Sequence, residues 1–303
     1  MLVFGAVFVD VKGFPSGKYI PTGRNIGRVE FVHGGVCRNV AENFARLGVP
    51  VRFVSMVEDS AMGTEVQTRL ESLGVDTAHV LREANGMGMW LAILDENGDL
   101  AGSISRQPDF SPLEKYVEAH ADEILAGGED VVIEFDMNPE IAAHVLAAAR
   151  RHGNRVYSIV GNMGVILKHP EYLREVSCFI CNENEAGRLF EMDLSAHTPD
   201  EMLPVLVEQS KKAGISAMVI TMGALGSVYV DHEKGLSGFC PADKVDMVDS
   251  TGAGDAFFTG TVAAIARGRK LPQAVNVGTK LAALTLQVAE SCCPHAPHLL
   301  DRE

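Results

Sequence analysis

The sequence predicts an α/β fold, a three-layer α/β/α core with a mostly parallel sheet, and three observations carry that expectation. Short apolar runs of strand composition alternate with segments of helical period through most of the chain. Its 303 residues are enough to bury a large core. At 47% hydrophobic and 22% charged it is globular in composition, not disordered. No linker separates independent units, so residues 1–303 read as one domain.

Residues 2–10 read as a buried first strand ending at Asp10. The run lacks the basic flank and cleavage site of a signal peptide. No apolar run approaches the roughly 18 residues that a membrane span needs. Residues 36–47 follow as a helix, because Val36, Val40, Phe44 and Leu47 fall on one face and Gly48 suits a C-terminal cap. A strand at 51–57 and a helix at 64–73, closed by Gly74, continue the rhythm. Further strands are expected at 130–135, 155–160, 176–181 and 217–221, and helices at 139–151, 183–190 and 199–213. Cys178 and Cys181 form a C-x-x-C inside one of these strands, where alternation puts them on opposite faces. With no second pair at zinc spacing they read as core. The six scattered cysteines imply a reduced, cytoplasmic chain and not a disulfide framework.

Two stretches break the alternation. Residues 11–33 hold Gly13, Pro15, Gly17, Pro21, Gly23 and Gly27 and show no helical period. Residues 86–108 contain strand-like runs at 89–94 and 100–105 around Asn97-Gly98, a hairpin turn signal. If the two inserts pair, they form a small β-sheet lid over the carboxyl edge of the main sheet, where open α/β sheets bind ligands. If they do not, they are ordinary surface hairpins.

The charge balance narrows the partners. Lys+Arg number 26 against 40 Asp+Glu, a formal charge of −14. Such a surface repels nucleic acid and anionic membranes, but a local nucleotide site stays open. Several signatures fail on inspection. Gly13–Lys18 has one residue too few for a P-loop, and Tyr19 stands where a Ser or Thr would hold Mg²⁺. Gly86-Met-Gly88 lacks the third glycine of a dinucleotide turn. Asp95–Asp99 begins like a calcium loop but has Leu100 at its sixth position.

Four segments survive. Asp249-Ser-Thr251-Gly252-Ala253-Gly254-Asp255 leads from a short strand-like run (Val245, Met247, Val248) into a helix marked by Phe258, Val262 and Ile265. Its glycines let backbone approach an anion at a helix N-terminus. Asp255 in the first helical turn fits either a general base for an attacking hydroxyl or a charge that merely favours the helix dipole. Gly34-Gly35 likewise turns into a helix, with Asn39 one turn in. Asn39 and Asp10 suit vicinal hydroxyls, or else are a turn amide and a strand-ending carboxylate. Asn182 and Glu185 offer hard oxygens for Mg²⁺ through water, or form a capping box. Thr221, Gly223 and Gly226 make a glycine turn after a strand that either approaches phosphates or only turns.

Taken in this order, the segments resemble the PfkB or ribokinase family of carbohydrate and nucleoside kinases, over essentially the whole chain. The resemblance implies transfer of the ATP γ-phosphoryl group to a primary hydroxyl. It implies Asp255 as base, with Gly252, Ala253 and Gly254 around the phosphoryl oxygens. Asn182 and Glu185 would organise Mg²⁺; Thr221, Gly223, Gly226 and Asn276 would line the ATP side; Asp10, Gly34, Gly35 and Asn39 would hold the acceptor. Asp249 and Thr251 stand where ligands of a monovalent cation such as K⁺ would lie, and a homodimer through the lid is expected. The segment 27–39 is most similar to the pseudouridine-kinase branch, which favours a nucleoside over a free sugar. A sugar-phosphate kinase would draw on Lys12, Lys18, Arg24 and Arg28, and a non-catalytic sugar or nucleoside sensor would share the fold.

Overall fold

The protein is described by a computed structural model over residues 1–301. It opens with two strands where one is expected: β1 (Leu2–Phe4) and β2 (Phe8–Pro15). The break falls at Gly5, where a Cβ would lie 2.2 Å from the Cβ of Cys37 and 2.8 Å from a Glu134 carboxylate oxygen. Beyond it the chain leaves the core sheet, so Asp10 sits within a strand of a second sheet and not at the end of the first core strand. β3 (Gly27–Gly34) then runs into α1 (Val36–Arg46), followed by β4 (Arg52–Glu58), α2 (Ala61–Ser72), β5 (Asp76–Glu83), β6 (Gly88–Leu94) and β7 (Leu100–Arg106). Next come α3 (Ser111–Leu125), β8 (Val131–Glu134), α4 (Pro139–His152), β9 (Val156–Ile159), β10 (Cys178–Asn182), α5 (Glu183–Phe190) and α6 (Pro199–Ala213). The chain closes with β11 (Ala217–Thr221), β12 (Ser227–Asp231), β13 (Leu236–Cys240), α7 (Ala253–Ala266) and α8 (Leu271–Leu286).

The large sheet has nine strands in the order β13-β12-β11-β10-β9-β8-β1-β4-β5. It is parallel from β11 to β5 and antiparallel across β12 and β13. Alternation splits its apolar side chains between two cores. Val3, Phe53, Val132 and Val219 pack with Phe44 of α1, Leu70 of α2, Phe258 of α7 and Leu281 of α8. Phe4, Val54, Ile133 and Met218 pack with Val117 of α3, Val145 of α4, Ala186 of α5 and Leu206 of α6. Cys178 and Cys181 fall in opposite cores, as their spacing requires. Truncating a wholly buried ring such as Phe44 to alanine would cost about 3–5 kcal/mol. The helices carry their own end signals. In α4, Asn138 accepts from the Ile141 N–H at 2.8 Å, and Gly153 closes the helix in the left-handed region at φ 74°.

The two inserts pair. The small sheet has the order β3-β2-β6-β7, with β2 and β6 parallel from Phe8↔Gly88 to Gly13↔Ile93. The β6–β7 hairpin is closed at its base, where the Asp109 N–H donates to the Asn85 carbonyl at 3.1 Å. One expected strand is missing. Residues 245–248 are irregular, with Met247 and Val248 exposed, because the N–H of Val248 bonds to the Leu286 carbonyl at the end of α8 and not to a strand.

Candidate active site

The carboxyl ends of β1, β8, β10 and β11 border one cleft, and the N-termini of α1 and α7 point into it. The switch in strand order lies between β1 and β8, the place where α/β sheets open a crevice. At α7, the Asp249 carboxylate accepts from the Thr251 N–H at 2.8 Å and shapes the turn. Burial opposes the charge of Asp249, but the bonds from Thr251 and the nearby Lys12 hold its pKa below the usual value. Gly252 is left-handed at φ 78°, and a Cβ there would lie 1.9 Å from the Ser291 carbonyl oxygen. A Cβ on Gly254 would meet nothing within 4 Å. Gly252 is thus required by the fold, whereas Gly254 opens onto the cleft. The Ala253 N–H bonds to the Ser250 carbonyl at 3.3 Å. Gly254 and Asp255 lie in the first turn, where N–H groups have no intrahelical partner.

Asp255 borders the cleft floor, partly exposed at its surface but enclosed by protein on its other sides. Burial pushes its pKa up to about 7, against the pull of Asn39 and Arg38, and Glu185 adds to the rise. Asn39, on α1, donates from Nδ2 to Asp255 Oδ2 at 2.6 Å, which ties the two helix N-termini together. The same division of glycines recurs at α1. Gly35, at φ 98°, would place a Cβ 2.6 Å from the Ala6 carbonyl, while a Cβ on Gly34 would meet both Asp10 carboxylate oxygens at 3.0 Å. Burial raises the Asp10 pKa against the opposing charges of Lys12 and Arg38.

The small sheet turns one face to this cleft. Asp10 pairs with Trp90 and Lys12 with Ala92, so these four share a face. The influence of Lys12 on Asp249 and of Arg38 on Asp10 identifies it as the cleft side. The opposite face leaves Phe31 62% and Ile104 71% exposed. Trp90 is partly buried, and no aromatic ring pairs with it among the described residues.

Asn182 and Glu185 form a full capping box: Asn182 Oδ1 accepts from the Glu185 N–H at 2.9 Å, and Glu185 Oε2 from the Asn182 N–H at 2.8 Å. The box leaves the second Glu185 oxygen free. Thr221, Gly223 and Gly226 line a groove of about 580 Å³ with Ala253, Gly254 and the α8 residues Thr279, Ala283 and Leu286. Gly226, at φ 107°, would clash with the Cys240 carbonyl at 2.2 Å, so it too serves the fold. Asn276 is not brought into this groove. It lies a turn beyond Thr279, exposed, and lines a larger separate cavity of about 1080 Å³ with Arg267 and His298.

Two carboxylates escape a reading by motif. Glu134 ends β8 and accepts from the Ala6 and Cys37 N–H groups at 3.2 and 3.4 Å. Burial, then Asp136 and Asp255, push its pKa up to about 8. Asp136 accepts from the Gly161 and Asn162 N–H groups, and its other oxygen is buried without a partner. Burial raises its pKa as well. The signal that could have found them is position, since both follow the strand beside the switch in sheet order.

The comparisons agree with this geometry. The family described as pfkB family carbohydrate kinase matches residues 1–297. A guanosine-inosine kinase from Exiguobacterium acetylicum is 37% identical over 300 residues, covering 99% of this chain and 97% of the relative. A pseudouridine kinase from Escherichia coli (strain K12) is 24% identical and covers 94% and 90%. The structure of Arabidopsis thaliana ribokinase complexed with ribose and ATP superposes at a TM-score of 0.83, with 21% identity and coverage of 100% and 98%, a likeness of fold. With this fold, this cleft and a family match over nearly its whole length, the chain belongs to the pfkB family of carbohydrate kinases, which are phosphotransferases acting on a hydroxyl acceptor.

Proposed function

We propose that the protein transfers the γ-phosphoryl group of ATP to the primary hydroxyl of a ribonucleoside, with preference for a purine-type base. The observation that carries the choice of a nucleoside is Trp90 beside Asp10 on the cleft face of the small sheet. A carboxylate suited to ribose hydroxyls stands directly across neighbouring strands, whose backbones lie about 4.8 Å apart, from an indole that no aromatic ring pairs with among the described residues. Base stacking on such a ring contributes about 1–3 kcal/mol. A free sugar can lay only its C–H face on the indole, whereas a base stacks ring on ring. The guanosine-inosine kinase relative at 37% identity supports a purine over pseudouridine.

In this reading the small sheet, with the segments 11–33 and 86–108, acts as a lid on a single 1–303 domain. Asp10, Gly34, Gly35 and Asn39 hold the acceptor. The acceptor oxygen attacks the γ-phosphorus, its proton passes to Asp255, and the bond to the β-phosphate oxygen breaks. The loose transition state needs positioning more than a strong base. The N-terminus of α7 at Gly252, Ala253 and Gly254 would face the transferred oxygens, with the Gly254 N–H free to donate while that of Ala253 bonds to Ser250. The chain fits Mg²⁺ with ATP: Thr221, Gly223 and Gly226 line a groove running to an open Gly254, and Glu185, whose charge couples to Asp255, would supply a carboxylate oxygen. Among the described residues no group of three or more His, Cys, Asp or Glu could hold a metal alone, so Mg²⁺ would come with the nucleotide and keep waters. When bound it neutralises phosphate charge. Asp249 and Thr251 are the candidates beside a monovalent cation, tested by exchanging K⁺ for Na⁺.

The exposed outer face of the small sheet, with Phe31 and Ile104, suits a second copy of this chain, and sedimentation as a monomer would count against that. Six free, buried cysteines support a reducing, cytoplasmic setting. Lys12 on the cleft face favours one second reading, an acceptor that already carries phosphate. The deciding assay is Mg·ATP with inosine, guanosine, pseudouridine, ribose and fructose 6-phosphate. A purine nucleoside should give the highest kcat/KM and a 5′-phosphate product. A sugar or sugar phosphate ahead of the nucleosides would overturn the substrate reading, and binding without product would favour a sensor.

A further inference from the structure

Arg38 is a charged side chain with no surface role, only 2% exposed at the end of the acceptor cleft. Its guanidinium is spread over five acceptors, one of them Cys292 Sγ at 3.9 Å from Nη1. Nη1 donates to Glu42 at 2.7 Å and Nε to the Gly34 carbonyl at 3.3 Å, while Nη2 donates to the His33 carbonyl and to Asn39 Oδ1. Asn39 in turn donates from Nδ2 to Asp255. A carboxamide can sit in two orientations related by a half-turn, and its neighbours decide between them. Arg38 can only donate and the Asp255 carboxylate can only accept. Turned over, the amide would put its NH₂ against the guanidinium and its oxygen against the carboxylate.

We infer that Arg38 is a positioning residue for phosphoryl transfer, holding the Asn39 amide so that its N–H grips one Asp255 oxygen and the other is left for the acceptor hydroxyl. The inference rests on Asp255 being the base. Arg38 is itself held rigidly. Glu42 is wholly buried and shared by Arg38, Arg46 and Arg69. Burial works against its charge, but the three arginines hold its pKa at about 2. The row Glu42, Arg38, Asn39, Asp255 is therefore alternately acceptor and donor from end to end. Its positive member also offsets the burial that raises Asp255. The other groups whose charge couples to Asp255 are Glu185 from α5, Glu134 from β8, Cys37 from α1 and Cys292. None of these is a cation, so among them Arg38 alone favours the ionised base.

Two variants separate orientation from charge. Arg38→Gln leaves Glu42 paired with Arg46 and Arg69, so no buried carboxylate is orphaned and folding is expected to survive. In Arg38→Gln, kcat with Mg·ATP and inosine should fall by roughly 10- to 100-fold with KM for ATP within about twofold, a transition-state loss. The ¹³C carboxyl titration of Asp255, assigned with Asp255→Asn, should move to higher pH in the free protein. Arg38→Lys keeps the charge but not the fork, so the titration should rise less than in Arg38→Gln, through the loosened Asn39 bond alone, while kcat still falls. Full activity in Arg38→Lys would reduce Arg38 to a charge and overturn the positioning claim. An unmoved titration in Arg38→Gln, or equal losses in kcat and ATP affinity, would overturn it as well. If inosine is not turned over by the wild type, the substrate reading fails while the titration still decides on Arg38.

Discussion

The two ends of the cleft differ in what they present. At the proposed acceptor end side chains dominate: Asp10, Trp90 and Asn39 offer charge, a ring and an amide bonded to Arg38. At the proposed donor end Gly223, Ala224, Gly226, Ala253 and Gly254 open backbone to a groove whose other walls include Lys244, Met247 and Phe257. A helix N-terminus binds any phosphate, whereas an acceptor must be told from its analogues by buried polar groups. In that reading a chain of charge −14 handles a polyanion because N–H groups and Mg²⁺, with Lys244 at the groove, would supply the attraction locally.

That contrast can be broken in graded steps. The largest effect is expected from Asp255→Asn, which should lower kcat by roughly 10²–10⁴-fold while leaving ATP affinity near wild type, measured by single-turnover kinetics and calorimetry. Retained turnover would remove Asp255 from the chemistry. Next, Gly254→Ala should leave Tm unchanged and reduce kcat by roughly 10-fold or more, since its Cβ enters only the space where phosphate must come. Gly252→Ala should do the reverse and lower Tm, with a stability loss of at least roughly 1–3 kcal/mol for a strained backbone position, because its Cβ strikes Ser291. Equal behaviour of the two would erase the division of labour.

Trp90→Ala should raise the KM for purine nucleosides by about 10-fold and leave the KM for ATP alone, as loss of one stacking partner predicts. Acidity gives a further test. With Asp255 at about 7 in the free protein, kcat/KM should fall about tenfold per pH unit below that point. The smallest effect concerns stability. Glu134 has its folded pKa raised to about 8, so its contribution is present below the unfolded value and lost as pH rises through 8. Glu134→Gln should therefore gain Tm relative to wild type on going from pH 6 to pH 9, read by scanning calorimetry. No relative gain would mean that Glu134 is not buried protonated.

Much of this was legible in the sequence, and the exceptions have physical causes. The glycine turns at Gly35 and Gly252 announce themselves because only a residue without Cβ tolerates those contacts. The pairing of the inserts followed from their alternation. The break after Phe4 was hidden, since Gly5 and Ala6 continue an apolar run and only the approach of Cys37 and Glu134 explains it. Val245 and Val248 have strand composition, yet the local backbone bonds to α8. Asn276 was placed by resemblance alone, and α8 carries it past the end of the groove. Trp90, Glu134 and Asp136 belong to no motif, and Arg38 lies within the Gly34–Asn39 segment with no role read for it. What they do depends on contacts made by the fold, such as Cys37 with Glu134 across 97 positions and Asn39 with Asp255 across 216.

The closed base of the β6–β7 hairpin has a further consequence. Because the Asp109 N–H meets the Asn85 carbonyl, the segment carrying Trp90 leaves and rejoins the core at one point. It is a single excursion of the chain, held to the rest of the small sheet by the pairing of β6 with β2. The β2–β3 pair is not, since β2 follows β1 after three residues and β3 passes through Gly34 and Gly35 into the helix bearing Asn39. Grafting the 86–108 hairpin of one relative onto another should therefore exchange preference for the base while the chemistry of the hydroxyl stays with the host.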